Sequence, residues 1–146
     1  MRVREAQIEE VLAIARLMKG FEEETAHVKV DPEYTNEKYK SMMGKGLATL
    51  FVLETDEGEM VGSLGCIVGP DLHTPRIIAV ETFWFVVPEH RGDGLMLMRY
   101  FEQWAKLKGC DAVAMIHMVD SSPDSLGHVY KRRGYTKIES HYLKEL

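Results

Sequence analysis

A short glycine-rich segment, Arg91-Gly92-Asp93-Gly94, has the residue types of an anion-binding turn. Pro88 lies just before it and cannot donate to a strand ladder, so the apolar run upstream must end there. A helix that begins at such a turn points backbone N–H groups and the positive end of its dipole outward, and glycine lets an oxyanion approach them. The arginine adds a charge that can pair with a phosphate. Short glycine motifs also occur by chance, so the residues alone fit an ordinary turn equally well.

Two titratable side chains fall inside apolar runs that are typical of buried strands. Glu81 lies in the run that ends at Pro88, and an isolated carboxylate near the centre of a sheet has a raised pKa, which suits a general base. The same residue could instead make a structural hydrogen bond or face solvent. His117, in the next apolar run, is a weaker candidate for the base, because a strand histidine is more often a satisfied core residue.

Three adjacent carboxylates, Glu22, Glu23 and Glu24, follow the first predicted helix. An acidic rim of this kind could attract a cationic amine. A solvated acidic turn is the alternative, and both interpretations stay open at this point.

These residues are positioned by an alternation of predicted helices and strands. Apolar residues at three- and four-residue steps predict helices, and apolar runs between turn residues predict strands. The expected helices cover residues 8 to about 20, 36–43, 93–108 and 125–133. The expected strands are a short one from Val3 and then 49–54, 60–68, 76–87, 112–119, 135–139 and 141–144. The strand, helix and parallel strand over residues 76–119 form a crossover unit, which predicts an α/β fold with a mixed sheet.

The composition predicts an ordinary soluble protein with one domain over residues 1–146. Apolar residues make up 45% of the chain and charged residues 28%. The formal net charge of −5 argues against nucleic acid as the main partner, since affinity for a phosphate backbone comes from clustered Lys and Arg. No apolar run approaches the roughly 20 residues of a membrane span, so we expect a cytoplasmic protein with no membrane partner. The histidines and the two cysteines, Cys66 and Cys110, lack metal-ligand spacing, and no metal is expected.

The glycine-rich turn resembles the pyrophosphate-binding signature of the GNAT superfamily of acetyltransferases. That signature is Arg or Gln, two residues, Gly, one residue, then Gly or Ala, and it matches here to Arg91, Gly92, Asp93, Gly94, Leu95 and Met96. A second segment, Val129-Tyr130-Lys131-Arg132-Arg133-Gly134-Tyr135, is similar to the Leu-Tyr-x-x-x-Gly-Phe or Tyr element of the same family. Together with the order of elements, the resemblance covers essentially the whole chain.

Three positions depart from the family pattern. Met96 stands where Gly or Ala is usual, Asp93 stands where Lys or Arg is frequent, and Pro123 replaces a common Asn. These departures bear on how tightly a cofactor binds more than on the fold.

The resemblance implies a GNAT fold, with a central mixed, mostly antiparallel sheet and helices on both faces. It also implies an N-acetyltransferase that moves an acetyl group from acetyl-CoA to a primary amine of a small molecule or a protein. The backbone of Phe85, Val86 and Val87 would pair with the pantetheine arm, and the amides from Arg91 to Met96 would hold the pyrophosphate. Tyr130 stands at the position of the general acid, although it could merely pack its helix onto the sheet.

A different class of function stays open beside this one. A catalytically inactive GNAT-fold module would bind acyl-CoA or a protein partner without acetyl transfer. Such a module would be stabilised by the cofactor but would not turn it over. The two predicted C-terminal strands, 135–139 and 141–144, are also compatible with a homodimer.

Overall fold

The structure of the chain, a computed structural model, describes residues 1–118, 120 and 124–146. These residues form two compact units, Met1–Ile116 and His117–Leu146. The expectation of a single domain over residues 1–146 stays a prediction. Every helix in the described residues is too short or too polar to span a lipid bilayer.

A five-stranded sheet forms the framework of the first unit. Its strands are β1 (Arg2–Glu5), β2 (Ala48–Glu54), β3 (Met60–Pro70), β4 (Ile77–Val86) and β5 (Ala112–Ala114). They lie in the order β1-β2-β3-β4-β5, and every neighbouring pair is antiparallel except the parallel pair β4 and β5. The predicted mixed, mostly antiparallel sheet is therefore confirmed.

Helices of two kinds accompany the sheet in the first unit. The α-helices are α1 (Val11–Leu17), α2 (Pro32–Gly44) and α3 (Leu95–Leu107), and the 3₁₀ helices are Ile8–Glu10, Met18–Glu23 and Pro88–Asp93. α2 begins at Pro32 rather than at residue 36, because the Asp31 carboxylate accepts the Tyr34 amide at 3.0 Å and caps the helix. Proline at the first helical position supports the same start, since its φ is already helical.

The helices bury apolar side chains against both faces of the sheet. Neighbouring residues of β2 point to opposite faces and so divide the core into two clusters. One cluster, the α3 cluster, contains Phe51 of β2 and Phe101 of α3. The other, the α1 cluster, contains Leu50 of β2 and Ile14 of α1, and Tyr39 of α2 packs against it. Helices on both faces are thus confirmed, and each large buried side chain contributes about 1.5–3 kcal/mol.

The second unit contains α4 (Asp124–Arg132), which agrees with the predicted helix over residues 125–133. Gly134 follows with a φ of 88°, a left-handed conformation that glycine adopts without strain and that ends a helix.

Two predicted strands near the C-terminus are wrong. Residues 135–139 and 141–144 are described and form no strand. Their apolar side chains do alternate with polar ones, but Ile138 and Tyr142 are 78% and 97% exposed. Alternation alone does not make a strand, because the backbone needs a neighbour to take its hydrogen bonds. β5 likewise ends at Ala114, short of the predicted end at Val119, which lies outside the described residues.

Candidate functional site

β4 and β5 separate after a short stretch of parallel pairing. The pairs run from Ile78 with Ala112 to Val80 with Ala114, where β5 ends. β4 continues to Val86, paired with β3 along its other edge. We call the point after Val80 and Ala114, where the two strands part, the fork. Beyond the fork, within residues 1–116, the strand pairing of β4 lies on its β3 edge alone.

A β-bulge interrupts β4 immediately after the fork. Cys66 pairs with Glu81 and Gly65 pairs with Phe83, so Thr82 is the extra residue on β4. A side chain at position 65 would crowd it, since a Cβ there would lie 2.8 Å from the Thr82 Oγ1. Bulges redirect side chains and strand direction, and they are frequent beside active sites.

Glu81 is the buried carboxylate at the fork. Its side chain is 4% exposed, and its Oε2 accepts the backbone N–H of Ile116 at 2.8 Å. Burial raises the pKa of Glu81 to about 8, and the hydrogen bond from Ile116 offsets part of that rise. The structural hydrogen bond considered from the sequence is therefore present. The role of Glu81 as a general base stays a prediction, to which a pKa near neutral pH is suited.

Tyr39 of α2 reaches the bulge from one face of the sheet. Its hydroxyl lies 2.5 Å from the Thr82 Oγ1, and its ring packs edge-on against Phe83 with centroids 5.9 Å apart. Sequence reasoning missed this residue. The available signal was helical spacing, since Tyr39 and Met43 lie four residues apart and both pack against the α1 cluster.

The glycine-rich turn occupies the 3₁₀ helix Pro88–Asp93 and the start of α3. Gly92 is exposed, and a Cβ added there would have no atom within 4 Å. Gly94 is buried, and a Cβ there would lie 3.2 Å from the Arg91 carbonyl oxygen and 3.4 Å from a methyl of Val86. Its N–H donates to that same carbonyl at 3.1 Å. The two glycines therefore differ: Gly92 leaves open space for a ligand, whereas Gly94 allows the turn to pack tightly.

The other residues of the turn have varied surroundings. The Arg91 guanidinium forms an ion pair with the Glu24 carboxylate. Asp93 lies 3.9 Å from the His90 ring, measured from Oδ2 to Nδ1. Leu95 and Met96 are half-buried, and Met96 packs against the α3 cluster, so its side chain is directed at the core. Pro123, the third departure from the family pattern, lies outside the described residues.

Two of the three acidic residues after α1 have structural partners. Glu22 accepts the Val30 amide at 2.8 Å, and this hydrogen bond holds its pKa below the usual range. Glu24 pairs with Arg91, as above. Glu23 is exposed. The acidic segment thus binds the backbone of the segment before α2 and contacts the glycine-rich turn.

Phe85 and Val86 end β4, and Val87 follows them, on the far side of the bulge from the fork. The Val87 N–H donates to the Val61 carbonyl at 2.9 Å, so the N–H and C=O of Val87 point at β3. Because successive residues of a strand direct their N–H and C=O groups to opposite edges, those of Val86 point to the other edge, away from β3. Phe85 directs its ring at Phe21, with centroids 5.1 Å apart.

Tyr130 and His117 both belong to the second unit. Tyr130 is buried and packs against the His117 ring at 6.3 Å and the Tyr135 ring at 5.6 Å between centroids. His117 follows the end of β5 and is not on a strand, contrary to the expectation from its apolar surroundings. The role of Tyr130 as an acid stays a prediction.

Comparison with known proteins identifies one family. The model of the acetyltransferase (GNAT) family matches residues 9–135. No curated protein matches the chain. Among solved structures, a ribosomal-protein-alanine N-acetyltransferase from Brucella melitensis is 15% identical with a TM-score of 0.74, and each chain is covered over 100% of its length. A Clostridium acetobutylicum protein described as an acetyltransferase with acetyl-CoA is 12% identical with a TM-score of 0.78, over 99% of this chain and 95% of that one. At these identities the structural likeness establishes the GNAT fold alone.

Proposed function

The chain belongs to the acetyltransferase (GNAT) family, and from this we propose that it transfers an acetyl group from acetyl-CoA to a primary amine of a small molecule or a protein. The observation that carries the proposal is the fork between β4 and β5, with the buried Glu81 carboxylate beside it. A carboxylate with a pKa near 8 and an open strand edge next to it suit acyl transfer to an amine.

The end of β4 and the glycine-rich turn support acetyl-CoA as the bound molecule. The N–H and C=O of Val86 point away from β3, so a pantetheine arm that lies along Phe85, Val86 and Val87 as an added strand could hydrogen-bond to Val86. Gly92 has open space at its Cβ position, which suits a diphosphate beside the first-turn amides of α3. Arg91 carries a half-exposed guanidinium for the same group. The bound molecule would supply the activated thioester.

The chain's own residues would manage the protons of the reaction. The amine nitrogen forms a bond to the acetyl carbon, and the bond from that carbon to sulfur breaks. Glu81, directly or through water, takes one proton from the amine nitrogen. Tyr130 gives one proton to the leaving sulfur, a role that rests on its place in the Val129-Tyr130-Lys131-Arg132-Arg133-Gly134-Tyr135 segment. One proton thus leaves nitrogen and one reaches sulfur. The charges balance when Glu81 releases its proton to solvent and Tyr130 takes one up from solvent.

A turnover assay tests the proposal. Release of the CoA thiol is followed with acetyl-CoA and a panel of small amines and N-terminal peptides, for the wild type and for Glu81→Gln. We expect turnover with at least one amine and a fall of about 10²-fold or more in Glu81→Gln. Glu54→Gln is the matched control, because Glu54 is a buried carboxylate on β2 that pairs with Arg2 and Arg4 and has no part in the chemistry.

The assay also separates the second class of function. If acetyl-CoA and CoA raise the melting temperature but no amine causes thiol release, the protein is a GNAT-fold acyl-CoA-binding module and not an acetyltransferase. An absence of stabilisation by either molecule would contradict both functions.

A further inference from the structure

A pair of hydroxyl groups ties the bulge of β4 to α2. The Tyr39 hydroxyl and the Thr82 Oγ1 are 2.5 Å apart. Thr82 is the extra residue of the bulge and follows Glu81 directly, so a movement of the bulge also moves the Glu81 carboxylate. The pair therefore connects α2 to the proposed base.

Both hydroxyls are held by regular secondary structure. The capping of α2 by Asp31 fixes the helix that carries Tyr39, and the edge-on contact with Phe83 fixes its ring. On the other side, Gly65 leaves the space that the Thr82 hydroxyl occupies, since a Cβ at position 65 would lie 2.8 Å from it. Groups held by helices and strands keep their geometry better than groups on loops.

The Tyr39 phenol stays protonated in this hydrogen bond, in which either hydroxyl can be the donor. Burial raises the pKa of Tyr39 above its ordinary value of 10.0, and the nearby Cys66 and Glu81 raise it further, while the bond to Thr82 acts in the opposite direction. Tyr39 therefore keeps its proton at neutral pH. Within the described residues, Cys66 and Glu81 are the titratable side chains whose charge acts on Tyr39 at the bulge.

We propose, on the basis of the function proposed above, that Tyr39 is a positioning residue for acetyl transfer, which shares a hydrogen bond with Thr82, holds the bulge of β4 and keeps water from the Glu81 carboxylate. Removal of the hydroxyl loosens the bulge and admits water. The Glu81 carboxylate is then better solvated, its pKa falls toward the ordinary value, and it becomes a weaker base.

Kinetic measurements on Tyr39→Phe test this proposal. We expect a fall of about tenfold in kcat, comparable to the loss of one hydrogen bond. The rising limb of the pH–rate profile should also move to lower pH, which a purely structural residue would not cause. Thr82→Val should reproduce both changes, and the double variant should be no worse than either single one, because the two hydroxyls act as a unit. Tyr34→Phe is the matched control, since Tyr34 lies on the same helix and is 60% exposed.

A second readout does not depend on turnover. The Glu81 carboxyl carbon can be titrated by NMR in the wild type and in Tyr39→Phe, with Glu81→Gln to assign the signal. A lower midpoint in Tyr39→Phe supports the positioning role even if no amine is acetylated, in which case the proposed function alone fails. An unchanged midpoint in folded Tyr39→Phe overturns the positioning role, whether or not the wild type is active. Additive losses in the double variant would also contradict it.

Discussion

The Glu81 carboxylate accepts the backbone N–H of Ile116 at 2.8 Å, at the place where β4 and β5 cease to pair. This single side chain replaces a ladder hydrogen bond between two strands that are moving apart. It also brings a carboxyl group out of water beside an open strand edge. Under the proposed function, the same residue would serve both the structure of the fork and the chemistry beside it.

The pH dependence of turnover should report Glu81. The base must be ionised to accept a proton, and burial raises its pKa to about 8. We therefore expect kcat/KM to rise with pH and to level off above about pH 8. This rise in kcat/KM should be absent in Glu81→Gln. Initial rates measured across this range under saturating and limiting amine check the prediction. A wild-type profile that is flat from about pH 6 to pH 9 would assign the base elsewhere.

The stability of the protein should depend on pH through the same group. The folded-state pKa of Glu81 lies above the ordinary value of 4.5, so its contribution to stability is complete below pH 4.5 and is lost as the pH rises to about 8. The free energy of unfolding of the wild type should fall relative to Glu81→Gln over this window, by up to a few kcal/mol. Urea denaturation of both proteins at several pH values measures the difference. A constant difference across the window would show that the carboxyl is solvated.

The ion pair between Arg91 and Glu24 predicts a gain of affinity. Glu24 competes with a phosphate for the Arg91 guanidinium, so Glu24→Gln should bind CoA more tightly by about two- to fivefold, and Arg91→Gln should bind it more weakly. Dissociation constants from calorimetry at low and high salt give the comparison. Glu23→Gln is the control, because Glu23 is the exposed residue directly before Glu24, at the end of the 3₁₀ helix Met18–Glu23. Weaker binding by Glu24→Gln would place the diphosphate away from Arg91.

The bulge predicts that two glycines of β3 respond differently to alanine. A Cβ at Gly65 would lie 2.8 Å from the Thr82 Oγ1 and 2.9 Å from a methyl of Leu50, whereas one at Gly69 would meet no atom within 4 Å. Gly65→Ala should therefore lose about 1–3 kcal/mol of stability. Gly69→Ala should change it by about 0.5 kcal/mol or less, in either direction. Equal effects in urea denaturation would mean that the space at position 65 is not needed.

The features that depend on local pattern could be predicted from the sequence. The apolar run through β4, its end before Pro88 and the amphipathic period of α3 each follow from residues adjacent in the chain. The glycine-rich turn has a local signature as well. The burial of Glu81 followed from its apolar neighbours.

Other features depend on contacts between distant segments, and these escaped prediction. The bulge at Thr82 arises from the register of β3 against β4, and Tyr39 reaches it across the sheet from α2. The pairing of Arg91 with Glu24 joins residues far apart in the chain. The wrong strands at residues 135–144 show the same limit, since an alternating pattern specifies a face but supplies no partner.

The most direct test of the account is a calorimetric titration of acetyl-CoA into the wild type and into Gly92→Glu. Gly92 is exposed with free space at its Cβ, so the substitution should leave the fold intact while it places a negative charge where a diphosphate would lie. The account predicts one binding site in the wild type and a loss of binding in Gly92→Glu, with unchanged melting of the free protein. Equal binding by both proteins, or no binding by the wild type, would contradict it.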